Sequence, residues 1–202
     1  MRNMLTFKTL ALIPLALTAL IGCESKSTGT PPAHDQPPAD PLPAVIHGHR
    51  LPPEPDPKVN NATLLGVDVN HNGVRDDVER WIYATYKDKH PIYIDIAMQE
   101  VRADKLILEH PEKAKEIYDE VNKPIYCQLY YKYGAKYYGD PILIKENAVD
   151  EYFRSKIYFN TKERMAAYDQ YDTLLSGNSY TLPNDKEKKA ACDFNTSKYD
   201  KQ

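Results

Sequence analysis

Apolar residues along this chain recur mostly at helical spacing. Val74, Val78, Trp81, Ile82 and Tyr86 fall on one face of VRDDVERWIYATYKDK, the three-and-four rhythm of an amphipathic helix. Pro91 opens IYIDIAMQEVRADKLILEH, and Pro111 stands at the first position of EKAKEIYDEVNK, where Ala114, Ile117, Tyr118 and Val121 share a face. Pro124 is expected to kink or restart the path before IYCQLYYKYGAKYY. Later, ILIKENAVDEYFRSKIYF precedes Asn160, which with Glu163 predicts a capping box for TKERMAAYDQYDTLLSG, ended by Gly177. Alternating β-branched runs and hairpin dipeptides are scarce, the short IYIDI run excepted. The pattern predicts an all-α fold, a small orthogonally packed domain of about five helices over residues 61–194, with 195–202 as a tail.

Ahead of that domain the pattern changes twice. Arg2 and Lys8 flank the start of LALIPLALTALIG, an apolar run too short to span a bilayer as a mature helix, so residues 1–22 read as a secretion signal. Its end, Leu20, Ile21, Gly22 and Cys23, resembles the lipobox of bacterial lipoproteins, which implies cleavage before Cys23 and lipidation on it. Glu24, rather than Asp, after the cysteine points to the outer membrane of the envelope. The alternative is an ordinary cleaved signal with Cys23 there by chance. From 23 to 60 the composition turns to Ser, Thr, Asp, His and many prolines, as in GTPPAHDQPPADPLP. Such a segment cannot bury a core. It reads as a polyproline-like tether, reaching up to roughly 100 Å at about 3.1 Å per residue. His47 and His49 within it read as solvated polar residues.

Charge and cysteine content narrow the possible functions. The formal net charge of −3 becomes −5 once Arg2 and Lys8 leave with the signal. No basic patch with interleaved aromatics stands out, so nucleic acid is not an expected partner. Cys127 and Cys192 remain, and an even pair in an oxidising compartment most simply forms one disulfide. A zinc or catalytic role for two such distant cysteines is the weaker alternative.

The one segment that announces a chemistry is DVNHNGVRDDVE, from Asp68 to Glu79. Calcium takes six to eight oxygens, and a twelve-residue loop supplies them from positions 1, 3, 5, 7, 9 and 12. Here those are Asp68, Asn70, Asn72, Val74 through its carbonyl, Asp76 and Glu79, with Gly73 at the sharp turn. The match to D-x-[DN]-x-[DN]-G-x5-E is complete. An Asx-rich turn that merely caps the next helix is the competing reading. Position 8 is Arg75 rather than an aliphatic residue, no second copy of the pattern exists, and NNATLLGV is too short for an entering helix. A solitary loop with only its exiting helix argues for a structural Ca2+ ion rather than a sensor. With three carboxylates at most, its affinity is expected on the order of 10⁻⁴ to 10⁻³ M.

LPPEPDP, then GVDVNHNGVRDDVERWI, then NTKERMAAYDQYDTLLSG and the CDF at Cys192 to Phe194 together resemble a group of secreted bacterial proteins and lipoproteins. These carry an LPPDP-like lead-in and a G-[IV]-D-x-[DN]-x-[DN]-G-V-R-D-D-V loop. The resemblance implies an EF-hand-like calcium loop in an envelope protein and brings no reaction with it. It also implies that Leu51 to Pro57 pack on the domain, which would end the flexible tether near Arg50.

Tyr126, Tyr130, Tyr133 and Tyr137 form one helical stripe, with Tyr131 and Tyr138 beside it. A core face is the expected role, because four Phe and one Trp leave Tyr to supply the aromatic volume. The sharper alternative is an exposed platform for a sugar ring or a protein. No catalytic constellation stands out. Ser176 sits in no G-x-S-x-G turn, His71, His90 and His110 lack ligand spacing, and Glu100, Asp104, Glu116 and Asp150 pair only by conjecture. The sequence therefore predicts a lipid-anchored envelope protein whose calcium-stabilised helical domain binds another envelope protein. The alternative is an envelope glycan or peptidoglycan binder or hydrolase using its tyrosines.

Overall fold

The computed structural model describes residues 45–134, 142–177 and 179–199. The signal segment, Cys23, the tether up to residue 44, and Tyr137 and Tyr138 of the stripe lie outside them.

The described chain starts with a hairpin. Strands β1 (Val45–Ile46) and β2 (His49–Arg50) pair antiparallel, Ile46 opposite His49. The two residues between, His47 and Gly48, both have positive φ, 49° and 78°. A two-residue turn follows the twist of its strands when both central residues adopt that left-handed conformation. The tether boundary at residue 60 therefore needs correction, since Ile46, Leu51, Pro52 and Asn60 are all buried. Proline-rich chain cannot build a core of its own, but here it borrows a surface. Arg80 donates to the Pro52 carbonyl at 2.8 Å and to Glu54 at 2.6 Å. Helix α1 (Pro57–Asn60) follows, with Pro57 in its first turn and Asp56 capping the Lys58 and Val59 amides.

The all-α expectation holds for the rest of the domain. Helices α2 (Asp76–Tyr86) and α3 (Ile92–Glu109) lead through a 3-10 turn, Pro111–Lys113, into α4 (Ala114–Leu129). After π-helical turns at Tyr130–Gly134 and Phe153–Tyr158 come α5 (Lys162–Leu175) and α6 (Asp185–Ala190). Val74, Val78, Ile82 and Tyr86 are buried as their spacing predicts. Helix α3 is the centre: α2, α4 and α5 all pack on it, and twelve of its eighteen residues are buried. A helix covered on several sides loses the two-faced pattern of a surface helix, and here Gln99, Glu100 and Asp104 are buried along with the apolar residues.

Two local expectations fail. Pro124 does not restart the path, since α4 runs continuously from Ala114 to Leu129 with Pro124 buried inside it. Packing against α3 outweighs a cost of about 3 kcal/mol for an internal proline. The capping box does not form at Asn160. Thr161 is the N-cap, accepting from the Arg164 amide at 3.2 Å, while the Asn160 side chain accepts from the guanidinium of Arg164 at 2.6 Å.

Arg164 is fully buried and reaches a hundred residues back along the chain. Its guanidinium donates to the carbonyls of Asn60, Thr63 and Leu64 and to the side-chain oxygens of Asn61 and Asn160, at 2.6 to 3.1 Å. It thereby fastens the segment leading into the Asp68–Glu79 loop. Cys127 on α4 is joined to Cys192 by a disulfide, Cα–Cα 5.0 Å. The described chain after α6 packs on the domain as far as Tyr199, past the boundary placed at 195. Tyr199 is buried and donates to Asp95 at 2.6 Å, and Asp193 receives Arg102. No helix among the described residues is long and apolar enough to cross a membrane.

Candidate metal centre

The loop from Asp68 to Glu79 is closed by hydrogen bonds between its own polar residues. Asp68 at position 1 accepts from the backbone amides of Asn72 (3.2 Å) and Gly73 (3.0 Å). The second contact is permitted by Gly73, whose φ of 83° bends the chain back over the first residue. Asn70 and Asn72, positions 3 and 5, donate from their amide groups to the same oxygen of Glu79, Oε2, at 3.1 and 2.8 Å. Asp76 at position 9 accepts from the Val69 amide at 3.2 Å, and its own amide donates to the Val67 carbonyl at 2.8 Å. His71, at a position that contributes no ligand, is exposed at φ 56°.

The electrostatics of the loop are unusual for a mere surface turn. Asp76 and Glu79 are completely buried at the start of α2. The Asp76 carboxyl is pushed up from its ordinary range by burial, opposed by the Val69 hydrogen bond, and raised further by the nearby charges of Asp68, Glu79 and Asp77. Negative charge has thus been concentrated and dried in one place, a condition a cation relieves. Among the described residues, however, no three His, Cys, Asp or Glu side chains stand grouped for a metal ion. The donor set is chemically right for a hard divalent ion: Asp68, Asn70, Asn72, Asp76 and Glu79 through side-chain oxygens and Val74 through its carbonyl.

Arg75 at position 8 is the departure that the structure explains. A paired loop would put an aliphatic residue there. Here the arginine is buried and donates to Asp77 (2.6 Å), to the Tyr158 and Ile157 carbonyls (3.0 and 2.8 Å) and to Asn160 (3.4 Å). Arg75 replaces the missing second loop with the turn before α5. Gly66 makes room for it, since a Cβ there would lie 2.3 Å from the Arg75 side chain. A cavity of about 210 Å³ opens beside Asp68, Gly73, Arg75, Lys105 and Tyr158. Its two cations are already engaged, Arg75 as described and Lys105 with Glu109 at 3.6 Å.

His49 is the residue that the sequence misassigned. Its Nε2 meets Glu79 Oε1, and its ring stacks on Tyr83 with centroids 4.6 Å apart and planes 16° from parallel. His47 reaches the Lys87 carbonyl at 2.6 Å. Neither histidine behaves as part of a solvated linker. The missed signal was the HGH tripeptide itself, a left-handed turn between two short strands.

The remaining candidates are found as follows. Glu100 and Asp104 do come together, one turn apart on α3, and Arg154 pairs with Glu100 and lies 3.9 Å from Asp104. Burial raises both carboxyls, with Arg154 opposing and, for Asp104, the charge of Glu100 adding to it. The pair is buried, while Glu116 and Asp150 are exposed, Asp150 capping the Phe153 amide at 2.9 Å. The tyrosine stripe splits: Tyr130 and Tyr131 are buried, Tyr126 is half-buried and Tyr133 is exposed. The π turn at Tyr130–Gly134 changes the periodicity, so the regular stripe expected from helical spacing does not continue.

No family model matches the chain, and neither a curated protein nor a solved structure matches it.

Proposed function

We propose that this is a lipid-anchored envelope protein whose helical domain is stabilised by one structural Ca2+ in the Asp68–Glu79 loop and binds another envelope protein. One observation carries the calcium reading. Asp76 and Glu79 are wholly buried in the first turn of α2, Glu79 held by the amides of Asn70 and Asn72, with Asp68 folded back onto the turn. Burying such carboxylates without a counterion is costly, and the ion would supply the missing charge while tying α2 to the segment ahead of it. The short α1 and the Arg75 contacts favour a structural ion, since no entering helix is present to swing open. A docking role finds support in Tyr180, stacked on Tyr118 at 3.7 Å yet exposed, and in the neighbouring exposed Leu182. Anchoring rests on the lipobox-like end of the signal segment at Cys23.

Thermal unfolding in calcium, magnesium or chelator tests the central part. At 10 mM calcium and a Kd of about 10⁻⁴ to 10⁻³ M, binding to the folded state alone adds about 1.4 to 2.7 kcal/mol. Asp68→Asn with Glu79→Gln should abolish that increment. A melting temperature indifferent to calcium would overturn the reading. Membrane fractionation of Cys23→Ser, followed by affinity capture from envelope extracts with calcium present, tests the anchor and the partner.

A further inference from the structure

The twelfth position of a calcium loop must present both carboxylate oxygens to the ion. In this chain the two oxygens of Glu79 are met by different elements. Oε2 receives Asn70 and Asn72, which belong to the loop. Oε1 receives Nε2 of His49, thirty residues upstream on β2. An ionised carboxylate only accepts, so the imidazole carries its hydrogen on Nε2 and donates.

The ring is held in place from several sides. It stacks on Tyr83, one turn beyond Glu79 on α2. The hairpin that carries it is fastened further along the helix by His47 on the Lys87 carbonyl, and behind it by buried Leu51 and by Arg80 on Pro52 and Glu54. The contact is a product of the fold rather than of a loose side chain. A carboxylate oxygen has two lone pairs, so accepting one hydrogen bond leaves it able to ligate a cation. Partners of this kind fix the orientation of a ligating group, and losing one typically weakens metal binding about 10- to 100-fold.

We propose that His49 is a positioning residue for calcium, holding Glu79 from outside the loop so that the twelfth position is preset to close on the ion. The inference rests on the calcium reading above. It places the hairpin within the metal site and makes affinity depend on a residue that the twelve-residue pattern does not contain.

The test is calcium titration calorimetry of the full chain with four proteins: wild type, His49→Ala, His49→Phe and His49→Gln. His49→Phe keeps a ring on Tyr83 but has no donor, and His49→Gln restores an N–H. The expected result is a Kd about 10-fold or more weaker for the Ala and Phe variants, with the Gln variant recovering most of the loss. Melting temperatures in chelator report any purely structural effect, and the Phe variant should stay near wild type there. Calcium binding by wild type with unchanged affinity in the Ala and Phe variants, or recovery by Phe alone, overturns the role of His49 and leaves the calcium site standing. No calcium binding by wild type overturns both.

Discussion

Replacing Arg164 with Met should destabilise the domain more than any other single substitution outside the apolar core. The side chain is fully buried and spends its five donors on five oxygens, three of them the backbone carbonyls of Asn60, Thr63 and Leu64. Met fills the volume but leaves those carbonyls dry and unpaired. Each orphaned acceptor costs about 1 to 3 kcal/mol, and the costs do not add fully because the segment relaxes. Burial and the nearby charge of Arg75 already disfavour the guanidinium charge, which offsets part of this and leaves a net loss of about 2 to 4 kcal/mol. For a chain of this size that is a fall in melting temperature on the order of 10 °C. Arg164→Lys should fall between the two, since an ammonium offers three donors for five acceptors. The assay is thermal unfolding followed by far-ultraviolet circular dichroism, in chelator so that metal binding does not contribute. A Met variant melting within about 2 °C of wild type would refute the claim that this guanidinium fastens the chain ahead of the loop.

Other outcomes follow from the same contacts. The Cys127–Cys192 bond spans 65 residues, so changing both cysteines to Ser should cost about 4 kcal/mol and make the melting temperature indifferent to reductant. A wild-type melting temperature that is the same with and without reductant would show that the bond does not form. The Asp104 carboxyl, raised by burial and by Glu100, holds its proton more tightly folded than unfolded. The site therefore penalises folding above its raised value, and the penalty fades as pH falls through that value toward the ordinary carboxylate range. Asp104→Asn should gain stability over wild type at pH 8 and lose that advantage toward pH 4, as read by urea midpoints; a gap that stays constant with pH contradicts this. Gly66→Ala should destabilise at least twice as much as Gly177→Ala. Both glycines have positive φ, but only at Gly66 would the added methyl lie 2.3 Å from Arg75 and 2.5 Å from Asn60. Equal losses in denaturant unfolding would dismiss the steric part.

The helices that could be read from the sequence are those marked by local spacing and punctuation. Val74, Val78, Ile82 and Tyr86 declared α2, and Pro91 declared the start of α3, because period and punctuation act locally. Contacts made at long range left no such local trace. Pro124 sits inside α4 because α3 supports that helix, and Asn160 gives up its expected cap to bind a guanidinium that the loop also needs. The ligand positions of the loop could be counted in sequence because they lie within twelve residues. His49 could not, since it approaches from a hairpin in a segment whose prolines suggest no fold at all. Tyr199 escaped for a related reason: its only warrant for burial is a surface assembled from α3 and the aromatic rings around it.

The hairpin also decides where mechanical load would enter the domain. Its strands are two residues each, and Val45, the first described residue, is exposed. Tension arriving through the preceding chain would peel β1 from β2 a rung at a time, the weakest direction for a ladder. It would meet His47 and His49 next, and would be arrested at Leu51 and at the grip of Arg80 on Pro52. A pull from that side would thus tug at Lys87 and Glu79, the two ends of α2, before it reached the rest of the domain, so it would be felt first by the loop and the helix that leaves it.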